Sequence, residues 1–443
     1  MWATDRRIAC LLAEDADPRL HLDPRTGVNA YGVPPFPQDE VGEWGSATAS
    51  APSQRSFQVL RQWWPTVAEN PDQRQIQEIL AGELLQVMGL DAVHYGVNLY
   101  SSGSRALGEG GRHLLGQMKT PVLVLCQGNE TGSRVPEVLR DALGCTAAEV
   151  ISLPVRTESG ELIPAALRDG LCWGQVVHWL KSGRQVVLVL TDGTKTGQVV
   201  PGVEGTREMV SRYPEQLHVL VDACQLRVAW SRVKEYLDLG WPVAITGSKF
   251  VGGPPFSGAL LYSHAFYKDF GKNEQALGVG ALLRWVAALT EMKRWSVVPK
   301  ERLGRDLARF QAALEQQVGR WPAVTLESMP GLERGSDPEL WDGHPTIFPF
   351  EVRGPAGEPL EREALEALYR RLPQAGSGVR GRWGQPVRLG DGQGHERWAL
   401  RLCLGARLLI PWLETLTDDR MAQTLDRCLE LLDRTVVEAA RTG

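Results

Sequence analysis

Two residues of this chain stand where apolar runs give way to polar ones. The run LHVLVDACQ reaches Asp222, and after the helical stretch SRVKEYLDLG the next run, PVAITG, leads straight into Ser248 and Lys249. A strand, a helix and a second parallel strand return the chain to the same sheet edge, where open α/β folds bind ligands. Asp222 and Lys249 would then face one small molecule, a carboxylate beside a primary amine. Pyridoxal 5'-phosphate (PLP) needs such a pair. A lysine forms the Schiff base, and a carboxylate keeps the pyridine nitrogen protonated so that the ring accepts electrons from a carbanion. The segment GGPPFSGALL follows, with small residues and prolines that let backbone pass close to a bound group.

The elements that must position this pair are readable as alternating patterns. VLVLC (122–126), VISLPV (150–155), VVLVL (186–190), HVLVDA (218–223) and PVAITG (242–247) are short apolar runs bounded by Gly, Asp or polar turn residues, which predicts strands. Their unbroken apolar character predicts cover on both faces. VPEVLRDAL (135–143) and 163–183 have helical spacing, and the βαβ rhythm predicts a mostly parallel sheet. A helical pattern spans about 56–90, and the chain turns helical again past about 276 before a mixture of strands and helices. The expected class is α/β: a large domain with a mostly parallel, mixed sheet of about seven strands flanked by helices, and a smaller α+β C-terminal domain. The expected division is an irregular Pro-, Gly- and Ser-rich arm at 1–55, a large domain at 56–290 and a small one at 291–443.

The bulk properties narrow the partners. The formal net charge of −5 argues against nucleic acid or an anionic membrane surface, since neither is drawn to a negative field, and favours a small metabolite. The seven cysteines are scattered and form no CxxC pair, so neither a disulfide framework nor a zinc site is expected, and a reducing cytoplasm is the expected setting. Histidines 94, 113, 178, 218, 264, 344 and 395 show no metal-ligand spacing. No apolar stretch reaches the roughly 18 residues of a membrane span.

With these motifs in hand, the chain resembles the class V aminotransferase branch of fold-type I PLP enzymes over roughly residues 90–405. That branch also holds cysteine desulfurases, kynureninase-like hydrolases and carbon–sulfur lyases. NLYSSGSRAL looks like its phosphate loop, which implies that Ser102, Gly103, Ser104 and Arg105 cradle the cofactor phosphate at a helix start, where free N–H groups and the helix dipole favour an anion. TDGTKTGQVVP resembles the loop that touches the ring hydroxyl. Thr194, Lys195 and Thr196 are its candidates, and Thr194 is the expected cofactor contact. Gln225 matches a polar residue beside the ring hydroxyl, and Ser248 a phosphate contact. WALRLCLG resembles the strand whose arginine grips the substrate α-carboxylate, which points to Arg401, and a guanidinium fork suits that task. Tyr31 and the hydroxyls of 46–50 lie on an arm that relatives fold over the substrate. The resemblance implies an amino-acid substrate and a homodimer. Transamination is the first expectation, with elimination, retro-aldol or decarboxylative chemistry as alternatives and a pseudoenzyme as a further one.

Two departures stand out. Relatives stack an aromatic ring or His on the cofactor face from the loop after the strand VLVLC, whereas QGNETGSR (127–134) contains neither. Asn129, Glu130 and Thr131 are the candidates for that face, and Glu130 is a candidate acid or base. The segment QAGSGVRGRWGQPVRLGDGQGHERW lacks the cysteine that desulfurases carry there, which disfavours persulfide transfer. Cys224 is expected in the core.

Overall fold

The computed structural model describes residues 2–13, 18–38, 41–45, 50–70, 72–116, 118, 120–144, 149–268, 270, 276–332, 334, 340–374, 379–392, 394–415 and 417–441. A short strand in the N-terminal arm, β1 (Gly42–Trp44), precedes a large sheet. That sheet is built from β2 (Tyr95–Tyr100), β3 (Val122–Cys126), β4 (Glu149–Leu153), β5 (Val186–Asp192), β6 (Val199–Val200), β7 (Leu217–Ala223), β8 (Val243–Thr246) and β9 (Gly258–Ser263). Four more strands follow in the C-terminal part, β10 (Val324–Leu326), β11 (Ile347–Val352), β12 (Gly381–Gly392) and β13 (His395–Cys403).

The large sheet runs β2-β9-β8-β7-β5-β3-β4, and two-residue β6 pairs with the end of β5. Adjacent strands from β4 to β8 are parallel, and β9 is antiparallel to both of its neighbours. The mostly parallel, seven-strand expectation is therefore met along the main path. Every residue of β3, β5 and β8 is buried, as unbroken apolar runs require. Alternation still sorts the strands by face. Leu123, Leu125, Val187 and Val189 pack with the helices Gly103–Leu115 and Val135–Ala142, while Val122, Val124, Val186 and Leu188 pack with Ala165–Lys181.

The second sheet runs β1-β12-β13-β11-β10. Its pairs are antiparallel except β1 with β12, where Gly42 lies opposite Gly381 and Trp44 opposite Trp383. The arm is thus more regular than its composition suggests: it contributes this strand and a helix, Trp2–Ala13. The expected helical pattern at 56–90 is two helices, Gln54–Glu69 and Gln73–Val87, divided where Asp72 accepts from Gln75 N and caps the second. Helix Val279–Ser296, with Arg284 and Trp285 fully buried, runs through residue 290 and packs against the helices 54–69, 73–87 and 2–13.

A buried polar cluster fastens the end of β5 to the C-terminal half. Asp192 accepts from Arg334 Nε at 2.8 Å and from the Tyr236 hydroxyl at 2.8 Å. Asp342 accepts from the backbone N–H of Ala229 at 2.9 Å and from Arg232 Nε at 3.0 Å. Buried charges need such partners, since an unpaired one costs several kcal/mol. The cluster leaves the loop after β5 little freedom.

Candidate active site

The carboxyl ends of β2, β3, β5, β7 and β8 point to one edge of the large sheet, and a cleft opens there. Asp222 is the penultimate residue of β7, opposite Thr191 of β5 and Ala244 of β8. Lys249 lies just past the end of β8. Both line the cleft, together with Gln225, Ser248 and Thr246. Asp222 is buried, and its Oδ1 accepts from the backbone N–H of Cys224 at 3.1 Å. No described residue gives the half-buried Lys249 amine a hydrogen bond or ion pair. Gln225 is buried with its Oε1 unpartnered among the described residues. Burial, then Asp222, pushes the Cys224 thiol far up, consistent with an inert core residue.

Across the cleft, β2 ends at Tyr100 and the chain enters the helix Gly103–Leu115. Ser102 caps it by accepting from Arg105 N at 3.2 Å. Ser102, Gly103 and Ser104 line the cleft, so the free N–H groups of the first turn open onto it. A side chain at Gly103 would place its Cβ 2.6 Å from Thr246 Cγ2 and 2.7 Å from Cys224 Sγ. Only glycine lets the helix start sit directly on the ends of β7 and β8.

Arg401 reaches the cleft from β13. Its Nε donates to Gln385 O at 3.0 Å and its Nη1 to Lys195 O at 3.2 Å, which fixes the guanidinium plane. Three expected contacts lie elsewhere. Arg105 turns outward, because its place on the helix brings it to Glu109 one turn on, at 3.2 Å. Thr194 is buried under the loop after β5, where its Oγ1 accepts from Gln198 N at 3.1 Å, and its neighbour Lys195 lines the cleft instead. Tyr31 packs in a small apolar cluster with Leu20, Val33 and Ala51. The arm's contribution to the cleft is Arg19, whose guanidinium stands 5.5 Å from the ring centre of Phe256. Residues 46–49 lie outside the described residues, and Ser50 is buried.

The ring-free loop after β3 divides its three candidates. Asn129 turns away, donating to Arg388 O at 3.3 Å. Glu130 borders the cleft, but its carboxylate is saturated: it accepts from Thr196 Oγ1 at 2.8 Å, from Thr196 N at 3.1 Å and from Arg156 Nε at 3.0 Å. An acid–base role is therefore replaced by a structural one. Thr131 approaches the pair, its Oγ1 donating to Asp222 Oδ2 at 3.4 Å. Arg19, Phe256 and Gln385 are among the cleft residues that the motifs left unassigned, and Lys195, one of three candidates in its loop, is the one that faces the cleft. Phe256 carries a signal of its own, a left-handed φ of 65° after two prolines.

No family model matches the sequence, and no curated protein matches it. Solved structures do. The chain is similar to the cysteine desulfurase of Escherichia coli at 12% identity and TM-score 0.59, over 90% of this chain and 96% of that one. It is similar to the serine palmitoyltransferase of Sphingomonas wittichii at 13% identity and TM-score 0.53, over 90% and 88%. It is also similar to the Oryza sativa TDC with PLP at 14% identity and TM-score 0.55, over 94% and 85%. The architecture is that of fold-type I PLP enzymes.

The donor set of the cleft fits PLP. A helix N-terminus with two serines suits a phosphate, Asp222 a protonated ring nitrogen, and Lys249 an aldehyde carbon. The unpartnered Gln225 Oε1 offers a further polar contact.

Proposed function

We propose that this protein is a PLP-dependent enzyme acting on an amino acid, and within that class an aminotransferase. The observation that carries the reading is the pair Asp222 and Lys249 on adjoining strand ends, lining one cleft with the N-terminus of helix Gly103–Leu115. Bound there, PLP supplies an electron sink that stabilises negative charge at the substrate's α-carbon. Asp222 holds the proton on the ring nitrogen. Ser102, Gly103, Ser104 and Ser248 hold the phosphate, and Gln225 orients the ring. Lys249 Nζ would hold the cofactor and would carry the proton that leaves the substrate's α-carbon. Arg401, its plane fixed by two carbonyls, grips the substrate carboxylate. The proposal includes a homodimer, and it keeps 1–55 as an arm, 56–290 as the cofactor domain and 291–443 as the small domain.

The deciding experiment is reconstitution with PLP followed by visible spectroscopy and borohydride reduction. The reading expects a visible band that Lys249→Ala abolishes, and a reduced cofactor attached to Lys249 in the peptide mass spectrum. A protein that stays colourless with added PLP overturns it. Within the class, a single amino acid supplied without keto acid leaves the aminated cofactor if the enzyme transaminates. Ammonia release with unchanged cofactor would assign it to the lyases.

A further inference from the structure

The substrate side of the cleft holds two cations that the protein itself leaves unneutralised. Lys195, in the loop after β5, is half-buried, and no described residue gives its amine a hydrogen bond or ion pair. Its own carbonyl receives Arg401 Nη1, so the two residues are direct neighbours. With Arg401 Nε and Nη1 spent on carbonyls, Nη2 has no partner among the described residues. The acid whose charge acts on Lys195, Glu130, is committed to Arg156 and Thr196, and Glu327 beyond it to Arg156 and Arg397. Burial, and next Arg401, press the Lys195 ammonium down to about 8. Lys249 adds to the effect, while Glu130 and Cys126 oppose it. Such a shift records positive charge crowded into a dry place, and an anion entering there would relieve it.

The number of anions the site takes follows from the division of labour within the cleft. The phosphate of the proposed cofactor has its own cup at Ser102–Ser104, and Lys249 is used in the cofactor linkage. Lys195 and Arg401 remain, and the α-carboxylate of an amino acid brings a single negative charge. Arg19 lines the same cleft. We propose that Lys195 and Arg401 form a two-cation subsite that selects an amino acid with an acidic side chain, one carboxylate meeting each cation. This rests on the PLP reading for the reaction, but the subsite is a property of the chain alone.

Calorimetry on the PLP-loaded protein tests the subsite with unreactive probes, succinate against propionate. The dicarboxylate is expected to bind about tenfold more tightly, the equivalent of one charge-assisted hydrogen bond. Lys195→Gln should erase that preference while leaving propionate affinity within about threefold, and Lys195→Arg, which keeps the charge, should retain it. Succinate affinity in the wild type should weaken as pH rises through about 8, the value to which Lys195 is pressed, and should be flat in Lys195→Gln. Equal affinities for the two probes, or an equal loss of both in Lys195→Gln, would overturn the subsite. Repeating the titration without PLP separates the two readings: succinate selectivity in a protein that forms no visible band with PLP leaves the subsite standing and removes the cofactor.

Discussion

Glu130 and Arg156 pair at 3.0 Å with both side chains withdrawn from solvent, and together they lock the loop after β3 to the segment after β4. Thr196 completes the lock through its hydroxyl and its N–H. The ring-free loop 127–134 is thereby held as one wall of the cleft.

That wall predicts a stability effect. Removing Glu130 leaves Arg156 with Glu327 alone and takes the acceptor from the buried Thr196 N–H, so Glu130→Ala should cost about 1–3 kcal/mol in urea denaturation. The double variant Glu130→Leu, Arg156→Met should recover part of the loss, because the guanidinium left short of a partner is then gone. A single variant as stable as the wild type would refute the lock.

Gly258 opens β9 against the entry to helix Gly103–Leu115. A Cβ there would stand 2.1 Å from both the carbonyl carbon and the oxygen of Ser102, and backbone cannot yield as a flexible side chain can. Gly258→Ala should displace the Ser102–Gly103 turn and weaken PLP binding by about tenfold or more, roughly 1.4 kcal/mol. Titration of the visible band measures it, and unchanged affinity would show that the turn does not hold the phosphate.

Asp222→Asn should separate binding from turnover. The amide retains the shape and accepts the Cys224 N–H, so the cofactor still attaches to Lys249. The ring nitrogen loses its counter-charge, and turnover should fall on the order of 10²-fold with the visible band preserved. Loss of the band with the carboxylate would point to a purely structural Asp222.

Lys195 makes stability depend on pH. Its amine sits at about 8 in the folded chain and near 10.5 when unfolded, so between those values the unfolded state binds more protons and stability rises with pH. Below about 8 the penalty is present in full. Lys195→Met should therefore stabilise the ligand-free protein at pH 7 by about 1–3 kcal/mol, discounted for partial access to water, and flatten the profile from pH 8 to 10. Denaturation midpoints across that range test the slope.

The strands β3, β5, β7 and β8 were legible because fully buried strands need unbroken apolar runs, and the chain marks their ends with Asp, Gly or Thr. That same logic located Asp222 and Lys249, the family resemblance pointed to Ser102–Ser104, Ser248 and Arg401, and all of them line one cleft. Side-chain direction was not legible. Thr194, Lys195 and Thr196 are three polar residues in a row, and which one faces the cleft depends on Glu130, 66 residues away from Thr196, burying itself against Thr196. Arg105 was misplaced for a local reason, since its ion pair with Glu109 competes with the cleft. β12 escaped notice because its glycines, arginines and proline break any alternation, and its burial comes from β13 and β1 on either side.

The pairing of Gly42–Trp44 with Gly381–Trp383 joins segments made at opposite times. At roughly 5–20 residues per second, synthesis brings out Trp383 some 20–70 s after Trp44. Arg382 completes the join by donating to Glu43 Oε1 at 2.7 Å. Throughout that interval the early strand has an open edge, and a pairing so distant in sequence is the kind of contact that closes late and slowly.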